Sequence, residues 1–227
     1  MTKLVFVHDR ILIGIAGLKG SGKNTVCDII KKLDNRFVDV AFADPVKAGV
    51  RAMFGTVNDT NPPFKFVDYP KEKKHSFLGF SLRDAYEGIG HHFGRTLLNK
   101  DVWIKLIHER IDFKDFVIIT DVRYINEAQF INQEYGFVIN VLKKKDSWFT
   151  KLKRNVLPKL FDGPEYGIPD NLAKYTIVND ASLYDLEQKV KAILIKEGII
   201  FDDTISSEEP TNRLIQPAKI ESPVKFW

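Results

Sequence analysis

A glycine-rich turn between an apolar run and an amphipathic stretch constrains this chain more than any other feature. Ile11–Ala16 is a nearly unbroken apolar run, which predicts a buried parallel strand. Apolar residues at three- and four-residue spacing then predict a helix over Lys23–Leu33. The turn between them reads Gly17-Leu18-Lys19-Gly20-Ser21-Gly22-Lys23-Asn24-Thr25. Such a turn aims backbone N–H groups and the positive end of the helix dipole at an anion, which predicts a polyphosphate site.

Individual positions in the turn carry separate expectations. The three glycines allow unusual dihedrals and close approach of the backbone to a ligand, and Lys23 is expected to reach the β- and γ-phosphates of ATP. Asn24 stands where Ser or Thr normally ligates Mg²⁺, and Thr25 follows it. An amide oxygen can ligate the ion or hold a bound water, so either residue is a candidate. The alternative is a chance glycine-rich turn.

Apolar runs alternate with helix-like stretches along the rest of the chain. Further strands are predicted at 37–42, 116–120, 137–142 and 175–178, and further helices at 45–54, 81–98, 101–110, 126–134 and 182–197. This order predicts one α/β domain over residues 1–197, a doubly wound five-stranded parallel sheet flanked by helices. A lid segment is expected at about 143–165, and residues 198–227 are expected to form a tail that lies on the surface or is disordered.

Ligands of open α/β sheets bind outside the carboxyl ends of the strands, so residues there are functional candidates. Asp44 follows the second strand and is a candidate to orient the attacking oxygen or act as a base. Lys47 and Arg51, four residues apart on one helix face, are candidates for the acceptor phosphate. The alternative is a solvated helix capped by Asp44.

The third strand and the helices before it supply the other candidates. Asp121 is expected to hold a magnesium-bound water and Arg123 to bind phosphate, with a structural ion pair as the alternative. Arg83 and Arg95 are candidates to read the acceptor's phosphate or base, whereas His91 and His92 between them are expected to be packing or surface residues. Two further residues are expected to pack: Trp103 in the core near the same cleft, and Cys27 as an inert core residue.

Composition narrows the class of protein. A single cysteine excludes an intramolecular disulfide and a Cys-rich zinc site, and no apolar run approaches the roughly 20 residues of a membrane span. These features fit a cytoplasmic protein. The net charge of +4 argues only weakly for nucleic-acid binding. Lys143–Arg154 is strongly basic and is interpreted as part of the lid, with a solvated loop or a nucleic-acid patch as alternatives.

Taken together, these segments resemble the deoxynucleoside monophosphate kinases of tailed bacteriophages. That family's phosphate loop reads Gly-x-Lys-x-Ser-Gly-Lys-Asp-Thr, and Gly17–Thr25 matches it except for Asn24 in place of Asp. The likeness continues in order to Glu197, through residues 42–47, 101–105, 121–123, 126–128 and 175–185.

The resemblance implies a P-loop kinase fold and Mg²⁺- and ATP-dependent phosphorylation of deoxynucleoside monophosphates, in the host cytoplasm if a phage encodes the chain. It favours Lys23, Arg95, Asp121 and Arg123 as catalytic or phosphate-binding residues, and its segments add Trp103 and Glu127 at the acceptor. His91-His92 stands where family members often carry Gly-Thr, which leaves the preferred base open. A different acceptor, as in dephospho-coenzyme A kinase, and a nucleotide-regulated nucleic-acid-binding protein are the alternatives. Small nucleotides are the expected partners, and the sequence leaves a homodimer open.

Overall fold

A central β-sheet organises the fold. A computed structural model describes residues 10–54, 70–76, 78–144, 152–153, 155–158 and 167–201. The strands are β1 (Ile11–Ala16), β2 (Val38–Val40), β3 (Phe116–Val122), β4 (Phe137–Leu142) and β5 (Tyr175–Val178). They form one sheet in the order β2-β3-β1-β4-β5, and every neighbouring pair is parallel. The predicted five-stranded parallel sheet is confirmed.

The first five helices lie in the connections between successive strands, and the sixth follows the last strand. They are α1 (Lys23–Leu33), α2 (Asp44–Phe54), α3 (Leu82–Glu87), α4 (Val102–Ile111), α5 (Ile125–Gln133) and α6 (Leu183–Lys196). The last turn of α3 runs directly into a π-helical segment, Gly88–Leu98, and a short 3₁₀ turn, Asp170–Leu172, precedes β5. Residues 152–153 and 155–158 are also helical. Ser182 caps α6 in a capping box with Asp185, as the sequence predicts.

Both faces of the sheet are buried, which is why its central strands read as continuous apolar runs. Ile13 and Ile15 of β1 pack on one face with α1 and α6, whereas Leu12 and Ala16 pack on the other face with α4 and α5. The strands therefore separate two hydrophobic cores. This arrangement is the doubly wound P-loop kinase fold that the sequence predicts, and it brings the carboxyl ends of β1, β3 and β4 together.

Two strands differ from their predicted bounds by more than one residue, and one predicted helix differs in type. β2 is only three residues long, and β3 extends to Val122, so that Asp121 lies inside the strand rather than after it. The helix predicted over 81–98 changes from α to π at Gly88. At Gly94 a Cβ atom would overlap the Trp103 ring, so close packing of this segment on α4 requires glycine there. Apolar spacing identifies such a stretch as helical but does not distinguish the two hydrogen-bond patterns.

Most of the predicted lid and tail lies outside the described residues. Of 143–165, only 143–144, 152–153 and 155–158 are described, and of 198–227 only 198–201. The side chain of Asn155 exchanges two hydrogen bonds with Asp170, at 2.8 and 3.1 Å, which ties that helical stretch to the turn before β5. In the described ranges, no helix combines the length and apolar character that crossing a bilayer requires.

Candidate active site

The turn after β1, called the phosphate loop below (Gly17–Thr25), has a backbone that requires glycine. Gly17, Gly20 and Gly22 all have positive φ values, of 144°, 77° and 100°. A Cβ atom at Gly17 would overlap the carbonyl oxygen of Val141 in β4, so the loop is packed closely on the sheet as well as being left-handed. The first turn of α1 has no acidic residue and no side-chain cap, which suits its N–H groups to an external anion.

Lys23 lies across this loop. Its Nζ donates to the carbonyl oxygens of Gly17 at 2.7 Å and Leu18 at 2.9 Å. Burial and the nearby Arg123 guanidinium lower the pKa of Lys23, while the Asp121 carboxyl acts in the opposite direction. The lysine is therefore held at the loop and lies within electrostatic range of the two charged residues at the end of β3.

Two other loop positions differ in exposure. The Ser21 hydroxyl is buried and has no hydrogen-bond partner among the described residues. Asn24, in the first turn of α1, is exposed. A buried hydroxyl that lacks a protein partner is free to bond to a ligand oxygen.

Asn179 is a loop-supporting residue that sequence reasoning missed. Its side-chain Nδ2 donates to the Ser21 carbonyl oxygen at 3.0 Å, and its backbone N donates to Leu142 O at 2.7 Å. A Cβ atom at Gly22 would overlap the Asn179 amide, so the two residues are in close contact. Its place one residue beyond β5, at the carboxyl edge of the sheet, is the signal that could have identified it.

A pocket of about 270 Å³ opens beside the end of β3, between α2 and the α3–π helix. The predicted site residues that line it are Lys47, Arg83, Arg95, Trp103, Asp121, Arg123 and Glu127, together with His91. Sequence reasoning missed the aromatic lining residues Tyr86 and Tyr124, although Tyr124 directly follows Arg123. The pocket thus combines cationic and aromatic side chains with three carboxylates, those of Glu87, Asp121 and Glu127.

Asp121 joins the ends of two strands. Its carboxylate oxygens accept hydrogen bonds from the backbone N of Phe42 at 2.7 Å and of Ala43 at 3.0 Å, just before α2. Burial raises the pKa of Asp121, while these two N–H groups lower it. Asp121 therefore fixes the entry to α2, and each of its oxygens keeps one further lone pair.

Arg95 and Glu127 form a buried ion pair. Arg95 also donates to the Lys100 carbonyl oxygen at 3.0 Å, and its guanidinium lies 3.7 Å from the centre of the Tyr124 ring. Glu127 accepts hydrogen bonds from the backbone N of Arg123 and Tyr124, at 2.8 and 3.1 Å. Burial raises the pKa of Glu127 to about 7, whereas Arg95 lowers it. Arg95 thus lines the pocket with its guanidinium bonded to the protein, and its role in phosphate binding stays a prediction.

A charged bridge joins the phosphate loop to α3. The Glu72 carboxylate accepts from Lys19 Nζ at 2.9 Å and from Arg83 Nε and Nη2 at 2.7 and 3.0 Å. Arg83 also donates to Glu87 at 3.1 Å. The two cationic partners lower the pKa of Glu72 to about 2. Lys19 and Arg83, which were predicted on opposite subsites, therefore share one carboxylate.

Two predicted acceptor residues lie elsewhere. Asp44 turns its carboxylate to the backbone N of Ala41, at 2.8 Å, and to Lys47 Nζ, at 3.1 Å, so it stabilises the start of α2. Arg51 is exposed in the last turn of α2. Neither residue is among the described residues that line the pocket, and their roles at the acceptor stay predictions. Four-residue spacing does place Lys47 and Arg51 on one face, but only Lys47 is near the cleft.

The remaining packing predictions are confirmed for three residues. Trp103 is buried, lines the pocket and donates from Nε1 to Gly90 O at 2.7 Å. Cys27 is buried, which raises the pKa of its thiol to about 11. His92 is exposed, as expected for a surface residue. His91, in contrast, lines the pocket, where it contacts Tyr124. In the ranges that the structure describes, no group of three or more His, Cys, Asp or Glu residues could hold a metal ion.

The chain is similar in sequence to a viral protein. No protein-family model matches the chain. A protein of Acanthamoeba polyphaga mimivirus named "Putative deoxynucleotide monophosphate kinase" is 31% identical over 151 residues, which is 58% of this chain and 73% of the relative.

Solved structures superpose on the chain loosely. Shikimate kinase from Aquifex aeolicus has a TM-score of 0.44 and 13% identity, over 83% of this chain and 99% of that protein. Dephospho-CoA kinase from Campylobacter jejuni has a TM-score of 0.41 and 14% identity, over 83% of this chain and 97% of that protein.

Proposed function

The chain belongs to the nucleotide kinase family of the mimivirus relative, and on that premise we propose that it transfers the γ-phosphoryl group of ATP to a deoxynucleoside monophosphate. The products would be ADP and a deoxynucleoside diphosphate. The deoxynucleotide acceptor is proposed from the relative's name, and phosphoryl transfer is proposed from the charged residues of the cleft.

The observation that carries the proposal is the position of Lys23 between two subsites. Lys23 lies on the phosphate loop, and it interacts electrostatically with Asp121 and Arg123, which line the pocket. A polyphosphate on the loop and a phosphate in the pocket would therefore meet at these three side chains. In-line phosphoryl transfer requires this meeting of two substrates.

The donor side fits a nucleotide phosphate chain. The glycines with positive φ, the uncapped first turn of α1 and the buried Ser21 hydroxyl all provide donors that the described part of the chain leaves available. We assign Lys23 to the β- and γ-phosphates, and Lys19 to the rim of the same site. The nucleotide would carry Mg²⁺, because this ion keeps several waters and binds through phosphates and one or two protein ligands.

Asn24 and Asp121 are the proposed protein contacts of that ion. Asn24 is exposed at the start of α1, and Asp121 retains one lone pair on each oxygen beyond its bonds to Phe42 and Ala43. When bound, Mg²⁺ neutralises charge on the phosphates. Thr25 remains an alternative to Asn24.

The acceptor side fits a nucleoside monophosphate. Lys47, Arg83 and Arg123 are the proposed ligands of its phosphate, and Tyr86, Trp103 and Tyr124 suit a flat base. Arg95 is assigned a positioning role, since it is bonded to Glu127 and lies against Tyr124.

The chemistry is direct transfer. An oxygen of the acceptor phosphate attacks the γ-phosphorus, and the bond to the oxygen that bridges the β- and γ-phosphates breaks, leaving ADP. Lys23 and Arg123 would neutralise charge on the transferring group while the pocket holds the two substrates in line. The proposal includes no covalent enzyme intermediate.

An ADP-release assay across a panel of acceptors tests the proposal. The panel contains the four deoxynucleoside monophosphates, the four ribonucleotides and dephospho-coenzyme A, each with and without Mg²⁺. Mg²⁺-dependent turnover on at least one deoxynucleotide supports the proposal. Turnover on dephospho-coenzyme A alone would transfer the assignment to that acceptor. No turnover, together with tight, steeply salt-dependent binding of DNA or RNA, would favour the nucleic-acid-binding alternative.

A further inference from the structure

Five lysine and arginine residues line the acceptor pocket, and they differ in whether a protein carboxylate already pairs with them. Three of the five are ion-paired within the protein: Lys47 with Asp44, Arg83 with Glu72 and Glu87, and Arg95 with Glu127. Across the described ranges, no carboxylate lies within ion-pair distance of the other two, Lys71 and Arg123. A phosphate can therefore bond to these two cations without displacing a carboxylate.

Lys71 lies in a turn before α3, and contacts on two sides hold its backbone at the pocket. Its carbonyl oxygen accepts a hydrogen bond from the backbone N of Arg83 at 2.9 Å, in the first turn of α3. The next residue, Glu72, bonds to the Arg83 guanidinium and to Lys19 of the phosphate loop. The backbone of residues 71–72 is therefore fixed between the acceptor pocket and the phosphate loop.

The Lys71 side chain is exposed, and it extends from this fixed backbone on a flexible stem. A lysine ammonium has three donors and four rotatable carbons behind it, so it can turn to a phosphate oxygen along this wall. The Arg83 guanidinium, in contrast, bonds to Glu72 at 2.7 and 3.0 Å and to Glu87 at 3.1 Å. Of the two cations on this side of the pocket, Lys71 is the one whose charge is unpaired within the described part of the chain.

Arg123 reaches the pocket from a different element, the end of β3. Its backbone N donates to the Glu127 carboxylate at 2.8 Å, which fixes where its side chain starts. Burial, and then the charge of this guanidinium, lower the pKa of Lys23 on the phosphate loop, so Arg123 acts on the donor site as well. A phosphate held by Lys71 and Arg123 would therefore lie between α3 and the end of β3, where it can meet the donor nucleotide.

We infer that Lys71 is a further substrate-binding residue, which holds the phosphate of the acceptor nucleotide together with Arg123. The inference rests on the proposed function, since it takes a nucleoside monophosphate as the ligand of this pocket. Lys71 binds the acceptor phosphate before and during transfer alike, so it contributes to the affinity for the acceptor rather than to the rate of the chemical step.

The first test is calorimetric binding of dGMP, dTMP, dAMP and dCMP without ATP, so that no turnover occurs. Lys71→Met should raise the Kd of the tightest-binding deoxynucleotide by about tenfold, the loss of one hydrogen bond to a charged group. Lys71→Arg keeps the charge and should retain most of the affinity. Lys74→Met is the matched control, because Lys74 is an exposed lysine of the same segment that does not line the pocket. Added KCl should weaken binding less in Lys71→Met than in the wild type, because one contact that salt screens is gone.

The second test is steady-state kinetics of the same variants. Lys71→Met should raise KM for the acceptor by a similar factor, while kcat and KM for ATP stay within about twofold of wild type.

The outcomes separate the inference from the proposed function. An active wild type whose Kd is unchanged in Lys71→Met would overturn the inference alone, and so would an equal loss in Lys74→Met or a fall in kcat without a change in KM. Deoxynucleotide binding that depends on Lys71, without turnover of any of the four, would support the inference and overturn the proposed phosphoryl transfer. A wild type that binds none of the four would overturn both.

Discussion

The guanidinium of Arg95 and the carboxylate of Glu127 meet in an ion pair that is closed to solvent, with each side chain only 4% exposed. The same carboxylate accepts hydrogen bonds from the backbone N of Arg123 and Tyr124. The pair thus fixes the backbone at the point where β3 turns into α5. Arg123 and Tyr124 are held at the pocket by a contact that lies behind them.

Removing one partner of this pair should destabilise the protein strongly. Arg95→Met leaves the Glu127 carboxylate buried without its counter-charge, so the free energy of unfolding in urea should fall by about 3–5 kcal/mol. The pKa of Glu127 should rise further, because Arg95 lowers it. The double variant Arg95→Met/Glu127→Gln should recover part of the loss. Arg110→Met, at an exposed site on α4, is the control, and an equal effect of the two single variants would contradict a buried pair.

Lys23 should be required for turnover but not for folding. Lys23→Ala removes the ammonium that lies across the phosphate loop, and the turnover rate should fall by about a hundredfold to a thousandfold or more. Circular dichroism and the midpoint of thermal unfolding should change little, because the hydrogen bonds of this lysine within the described ranges go to two loop carbonyls. Lys105→Ala, on the exposed face of α4, is the control. Normal turnover by well-folded Lys23→Ala would rule out the role assigned to this lysine.

Asn179 should act through the nucleotide site. Asn179→Ala removes the donor to the Ser21 carbonyl oxygen and loosens the phosphate loop, so KM for ATP should rise by about tenfold, the equivalent of one lost hydrogen bond. KM for the acceptor should stay within about twofold of wild type. Asn132→Ala is a matched control, because Asn132 also donates from Nδ2 to a backbone carbonyl, that of Leu172. Equal effects of both variants on the KM for ATP would argue against loop support by Asn179.

Asp121→Asn should separate structural from catalytic loss. Its carboxylate accepts from two backbone N–H groups, and an amide would present one of them with a donor instead. The free energy of unfolding should therefore fall by about 1–3 kcal/mol. Turnover should also fall, and single-turnover rates under conditions where the variant is fully folded would isolate the catalytic part. An Asp121→Asn protein as stable as wild type would contradict the bonds to Phe42 and Ala43.

Cys27 should make stability depend on alkaline pH. Burial raises the pKa of this thiol in the folded protein to about 11, above its ordinary value of 9.0. The unfolded chain therefore releases the proton first, and the stabilising contribution is complete below about pH 9 and declines from there toward pH 11. Urea unfolding at several pH values should show a steeper decline in the wild type than in Cys27→Ala. At pH 8 the native thiol should react with a disulfide reagent far more slowly than the thiol of the urea-unfolded protein.

The features that could be predicted from the sequence are those whose residues lie close together along the chain. The phosphate loop is recognisable because a buried strand, three glycines and a helix start all occur within the fifteen residues 11–25. Trp103 and the Ser182 cap are likewise local. The five strands follow from apolar runs that both faces of a buried parallel sheet require.

The sequence does not determine which hydrogen-bond or ion-pair partner a given side chain has in the fold. Arg95 and Glu127 are 32 positions apart, and Asn179 lies 158 positions from Ser21. Asp44 and Asp121 both carry a carboxylate near the same strand ends, yet Asp44 turns back to Ala41 while Asp121 crosses to the next strand. These contacts depend on distances that are fixed only in the folded chain. The sequence could therefore predict where the acceptor pocket lies, but not the hydrogen bonds and ion pairs of the side chains that line it.

The bridge from Lys19 through Glu72 to Arg83 changes how the cleft meets an anion. Its two cations are already paired with protein carboxylates, both with Glu72 and Arg83 also with Glu87, so an arriving phosphate does not meet two unpaired positive charges. A phosphate that binds there replaces the Glu72 carboxylate as the partner of Lys19 and Arg83. The favourable binding free energy is therefore smaller than two cations alone would give. Because the three side chains are 79%, 58% and 41% exposed, dissolved salt shields both the old contact and the new one.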